Sequence, residues 1–176
     1  MSQAMLTAVL LAYDAPEAPP LRRDTIARSL GSLVEACVQG LVADAALVGA
    51  PARGLDKIAD EAGCALIETA RAKEGLAQAL QMARRDHILL LVAGFAVERG
   101  FVEEVHDLFA YGDYARARTL RLAPDSLLTR LAPGFARPVG LIAEKAALAE
   151  AGDEDISRLA RALRSEDLAS RARRVF

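Results

Sequence analysis

Residues Asp86 to Phe101 read DHILLLVAGFAVERGF, and the fold turns on this stretch. Ile88 to Val97 are ten consecutive apolar or glycine residues, too few to span a bilayer. Arg84, Arg85 and Asp86 precede the run, and Glu98 and Arg99 follow it. A short apolar run between charged flanks predicts a strand buried on both faces, as in a parallel sheet covered by helices. Periodicity alone does not exclude a buried helix; Gly94 and the helix-like segments on either side favour the strand. In open α/β sheets, ligands bind beyond the carboxyl ends of the strands. At that end the run carries Val92-Ala93-Gly94-Phe95, without a carboxylate, imidazole or hydroxyl.

Working back toward the amino terminus, Met5 to Tyr13 reads as a first central strand, followed by a Pro-rich loop over Asp14 to Pro20. A helix is expected from Leu21 to Gln39, with Ile26, Leu30, Leu33, Val34, Cys37 and Val38 on its apolar face and Gly40 at its stop. Ala45 to Ala50 is a second strand and Cys64 to Glu68 a third. Helices marked by Leu55, Ile58, Ala59 and Ala62, and by Leu76, Ala79, Leu80 and Ala83, follow them. Working forward, Phe101, Val105, Leu108 and Phe109 mark another helix. This β-α alternation predicts right-handed crossovers and a largely parallel sheet with helices on both sides. Ala115 to Leu122 then suggests a strand with one wet face carrying Arg116, Arg118 and Arg121. Asp125 is a candidate cap for a short helix through Arg130, Pro133 to Pro138 reads as a loop, and Val139 to Ala143 as a strand. Glu144 to Ala151 reads as helix, and Glu154 to about Arg174 as a last helical region. On that region Arg158, Arg161, Arg164, Arg171, Arg173 and Arg174 would form a basic outer side, either solvated or in peripheral contact with anionic lipid.

The 176 residues suit one domain with a core on both sides of a sheet. Hydrophobic residues make up 53% and aromatics 5%, with no Trp, so the core is built from Ala, Leu, Val and Ile. A net charge of −2 supplies no field for nucleic acid. Cys37 and Cys64 lack metal or redox spacing and read as reduced, buried thiols of a cytoplasmic protein. The apolar stretch at Met5 to Ala12 has no basic segment before it and reads as a strand, not a signal peptide. His87 and His106 fit no metal spacing and read as structural. A P-loop, a Gly-x-Gly-x-x-Gly fingerprint and a Gly-x-Ser-x-Gly elbow are all missing from the sequence.

The order of features resembles the nucleotide-sugar-binding region of family 2 glycosyltransferases, the GT-A fold. Leu11-Ala12-Tyr13-Asp14, with Glu17 slightly later, corresponds to the family's first-strand loop. Val48-Gly49-Ala50-Pro51-Ala52-Arg53-Gly54 and Ala62-Gly63 correspond to its second turn and helix end. Arg71-Ala72-Lys73-Glu74-Gly75 corresponds to its basic loop, Gly100-Phe101 to its Gly-Phe pair, and Glu154-Asp155 to its late acidic pair. The resemblance implies a three-layer α/β/α sandwich with a mixed, mainly parallel sheet, in a single GT-A-like nucleotide-sugar-binding domain over residues 1–176.

It also implies sugar transfer from a nucleotide sugar to a polysaccharide or lipid acceptor. Tyr13 and Asp14 would hold base and ribose, Arg71 and Lys73 would contact phosphate, and Asp155, beside Glu154, would be the general base. Each has a structural alternative: a packed loop aromatic with a capping Asp, solvated loop charges, and acids favoured at a helix start. The family's Asp-x-Asp holds a divalent metal, but its place here is taken by Val92-Ala93-Gly94, and the second-strand Asp by Gly49. No cofactor and no divalent metal are therefore expected, and Lys73 or Arg71 would stand in for the cation. A catalytically inactive binding or regulatory module is the alternative. Homo-oligomerisation stays open.

Overall fold

The computed structural model describes residues 5–16, 18–112 and 114–176; Glu17, matched above to the family's first loop, lies outside them. Strands β1 (Leu6–Ala12), β2 (Val42–Gly49), β3 (Ala65–Glu68) and β4 (His87–Val92) run parallel, in the spatial order β3-β2-β1-β4. Beyond β4 come β7 (Pro138–Glu144), β6 (Arg118–Leu122), β8 (Glu166–Arg174) and β5 (Phe95–Val97), completing an eight-stranded sheet. β7 is antiparallel to both β4 and β6, β8 is parallel to β6, and β5 is antiparallel to β8. The sheet is mixed and mostly parallel, as the alternation predicts.

Helices cover both faces. α1 (Arg23–Gly31), α3 (Leu55–Ala62) and α5 (Phe101–Tyr111) bring Ile26, Leu55 and Phe101 into one core cluster with Leu89 and Leu91. α4 (Ala72–Met82), α7 (Lys145–Ala151) and α8 (Ile156–Ala162) place Leu76, Leu148 and Leu159 against Ile88 and Leu90. Successive residues of β4 thus enter opposite layers, the geometry of a strand with no solvent face.

Several expectations need correction. The apolar run Ile88 to Val97 is two strands: it turns at Ala93-Gly94, with Gly94 at φ +97°, where glycine has no Cβ penalty. The sheet curls so that β5 pairs with β8, and the Val175 amide returns to donate to the Gly94 carbonyl at 3.0 Å.

The helix expected over Leu21 to Gln39 breaks after Gly31 into α1 and α2 (Val34–Val38). Tertiary bonds compete there: Ser29 Oγ accepts from the Gly94 amide at 2.9 Å and Ser32 Oγ from the Val97 amide at 3.2 Å. The break turns Val34, Cys37 and Val38 outward, so Cys37 is exposed and not buried. Cys64 is half-buried, and burial pushes both thiols up.

The short helix after β6, α6 (Leu127–Leu131), is capped by Ser126 and not by Asp125. Ser126 and Thr129 each bond the other's backbone amide in a reciprocal capping box. The expected loop after it contains a 3-10 turn over Pro133–Phe135.

The last helical region stops at Ala162, and Glu166 to Arg174 is strand β8. Glu166 there receives Arg116 and Arg118, and Asp167 receives Arg121 Nε at 2.8 Å, all from the β6 side. The acidic start of β8 matches the basic strand beside it, a pairing across 46 residues for Arg121 that no local window contains. The continuous basic helix is therefore absent, since Arg171, Arg173 and Arg174 lie on the strand. Finally, the wet-faced strand expected from Ala115 starts at Arg118.

Candidate functional site at the carboxyl edge of the sheet

The parallel strands β1, β2 and β4 end together at Ala12, Gly49 and Val92. Gly49 is tightly enclosed. A Cβ there would lie 2.5 Å from Leu55 Cδ1 and 3.0 Å from the Ala12 carbonyl oxygen. A larger side chain there would press on α3, which packs onto the end of β2.

Beyond β1, the Tyr13 phenol donates to the Thr69 carbonyl at 3.0 Å and lies 2.7 Å from Thr69 Oγ1. Gly75 of α4 makes this approach fit: a Cβ there would meet Tyr13 Oη at 2.8 Å and Thr69 Oγ1 at 2.6 Å. Burial pushes the Tyr13 phenol up, opposed by its bond to Thr69, so the hydroxyl stays protonated. Asp14 folds back on its own loop. Its carboxylate accepts from the Leu21 amide at 2.8 Å and pairs with Arg53, whose second nitrogen donates to the Leu21 carbonyl at 2.8 Å. The Arg53 bond first, and then the Leu21 amide, hold the Asp14 carboxyl below the usual carboxylate range.

This clamp positions the wall of a cavity of about 300 Å³. Tyr13, Pro20, Leu21 and Thr25 form one side, Val92-Ala93-Gly94-Phe95 the floor, and Arg137 with Arg174-Val175-Phe176 the other side. The curl of the sheet creates that second side by bringing the end of β8 over the Gly94 turn. Arg22 also lines the cavity, and no acidic residue does among the described residues. Arg174 lies 3.9 Å from Asp125 and Arg22 3.2 Å from Asp24, while Arg137 has no ion pair among the described residues. The concave, apolar floor with guanidinium groups on its rim suits an anionic ligand that has an apolar body.

The cavity floor supplies no side-chain donor for a divalent cation. Val92, Ala93 and Gly94 offer no side-chain oxygen, and among the described residues no group of three or more His, Cys, Asp and Glu could hold one.

The other expected site residues lie apart from this cavity. Arg71 is exposed and paired with Glu74 at 3.2 Å. Lys73 lines a groove between α4 and α7 with Lys145, Leu148 and Asp153. Asp155 caps α8, accepting from the Arg158 amide at 2.8 Å. Asp153 accepts from the Asp155 amide at 2.9 Å, and that bond holds its carboxyl below the ordinary range. Glu154 is half-buried beside them. The structure thus brings Lys73 near the 153–155 turn and Tyr13 near Arg137 and Arg174, but it does not join the two sets. Sequence reading missed Arg137 and Arg174. Arg137 stands just before a strand-opening proline, a weak signal, and Arg174 was hidden inside the expected helix.

No protein-family model matches this chain, and no curated relative is detectable by sequence. Solved structures do share the fold. Glucosyl-3-phosphoglycerate synthase from Mycobacterium tuberculosis, in complex with Mn2+, uridine diphosphate and phosphoglyceric acid, superposes with TM-score 0.66 at 14% identity, covering 98% of this chain and 71% of that one. A 4-diphosphocytidyl-2C-methyl-D-erythritol synthase gives 0.62 at 18% identity, covering 97% and 90%. A putative glucose-1-phosphate thymidylyltransferase from Bacillus anthracis gives 0.60 at 8% identity, covering 95% and 88%. At such identities the likeness is one of fold: a GT-A-like α/β sandwich shared with glycosyltransferases and nucleotidyltransferases.

Proposed function

We propose that the chain binds a nucleotide sugar in the cavity beyond β1 and β4 and acts as a glycosyltransferase-like protein that needs no carboxylate-held metal. One observation carries this reading: the cavity lies where α/β sheets take their ligands, and its charged lining is guanidinium only. Arg137 and Arg174 meet the diphosphate through charge-assisted hydrogen bonds, supplying fixed positive charge where the family uses a cation. Tyr13 offers its ring face to the base. Arg71 and Lys73, at the amino end of α4, are candidates for further phosphate contact. Asp155 spends Oδ1 on its cap; it or Glu154 serves as base toward an acceptor hydroxyl of a polysaccharide or lipid.

A second reading is a binding module without turnover. It is favoured by the capping engagement of Asp155 and by its separation from the cavity lining.

Thermal shift with UDP- and GDP-sugars tests the proposal. One of them should raise the melting temperature without manganese. Arg137→Ala should weaken that ligand about tenfold, the loss of one charge-assisted bond. A shift that appears only with manganese, or none with any nucleotide sugar, refutes the metal-free site. Asp155→Asn keeps the cap oxygen; if it abolishes transfer while leaving binding intact, the enzyme reading stands over the module.

A further inference from the structure

The connection from β6 to β7 carries a surface that the cavity does not explain. β6 runs with β4, so this connection crosses the same edge of the sheet. In it, Leu127, Leu128, Leu131 and Phe135 are 76, 63, 87 and 73% exposed, and neither α6 nor the 3-10 turn buries a residue. The sequence holds no acid between Asp125 and Glu144 but does hold Arg130 and Arg137. Both arginines are exposed, and neither has an ion pair among the described residues. This lip is therefore apolar and cationic on a chain whose net charge is −2.

We propose that this lip docks on the headgroup layer of an anionic bilayer. Leu127, Leu128, Leu131 and Phe135 would enter the acyl boundary, while Arg130 pairs with a lipid phosphate. The charge decides the occupant. A five-residue helix offers little for a partner helix to interdigitate with, whereas an anionic bilayer supplies an apolar layer and phosphates, the two chemistries that match the exposed side chains of this lip. Its cationic character, on a chain whose net charge is −2, favours the approach of this lip to an anionic surface. Arg137 and the cavity share a rim, so docking sets the cavity mouth at the headgroups. The inference stands whether or not the cavity takes a nucleotide sugar.

Co-sedimentation with vesicles tests it. Phosphatidylcholine vesicles containing phosphatidylglycerol should pellet the protein, pure phosphatidylcholine should not, and added salt should weaken the binding. Arg130→Gln should reduce affinity about fivefold. The triple change Leu128→Gln, Leu131→Gln and Phe135→Gln should reduce it at least about tenfold. These side chains are exposed, so the melting temperature and any cavity ligand's affinity should not change, which separates this test from that of the cavity. Failure to pellet with anionic vesicles overturns the proposal. So does a concentration-dependent dimer that the triple change dissolves, since the lip then serves a second copy of the chain.

Discussion

Asp14 shows how a residue matched to a ligand-binding position can work for the loop instead. Both its oxygens are engaged, by Arg53 and the Leu21 amide, and the result is a fixed wall for the cavity. Its carboxyl titrates lower in the folded chain than in the unfolded one, where it lies near about 3.9. The ionised form therefore adds stability that is fully present above the unfolded value and is lost as pH falls through the folded value. Wild type should lose melting temperature relative to Asp14→Asn as pH drops below about 4, with a small amplitude because the pair is largely exposed and screened. Parallel pH curves for the two proteins would show that the clamp adds nothing. Gly49 makes the complementary point. A Cβ at this position would press on Leu55 of α3 and on the Ala12 carbonyl of β1, so the end of β2 is closed by packing.

At the scale of elements, β8 is held by what lies beside it more than by its own pattern. Only Leu168 and Ala172 of its nine residues are well buried, so its apolar content is slight. Charge fills the gap: Glu166 bridges Arg116 and Arg118, and Asp167 meets Arg121. Glu166→Ala should therefore lower stability by about 1 kcal/mol in a denaturant melt, more than a lone surface pair, because one carboxylate serves two guanidinium groups and Arg118 is largely buried. A change within error would assign β8 to its backbone ladder alone. The turn into β8 explains why the preceding helix ends without glycine. Arg164 sits at φ +49°, and the Ser165 amide closes on the Ala160 carbonyl at 2.9 Å, a helix stop made by a residue type that rarely adopts this conformation.

For the whole molecule, the central observation is that β4 feeds two cores. Leu89 and Leu90 are both fully buried, one among α1, α3 and α5, the other among α4, α7 and α8. Leu89→Ala and Leu90→Ala should each cost about 2–5 kcal/mol, a large share of a typical domain's stability. A sheet covered on one side would tolerate one of the two, so urea midpoints for the pair test the three-layer arrangement directly. The same architecture creates the cavity: a sheet this long curls, and the curl brings Arg174 to Phe176 back over the end of β4.

The apolar run at Ile88 to Val97, the 3.6-residue faces around it and their alternation determined the layered parallel core, because burial on both faces leaves a pattern in consecutive residues. They also determined that the carboxyl end of β4 carries no side-chain oxygen. Only the tertiary structure decided that the run bends at Gly94, that α1 parts from α2 at Ser32, and that Glu166 to Arg174 is strand. Each of these depends on partners dozens of residues away: two serine hydroxyls against backbone amides, and two carboxylates against three arginines. The arginine rim of the cavity belongs to the same class. Arg137 and Arg174 converge through sheet curl, and curl is a property of eight strands together that no single strand's sequence contains.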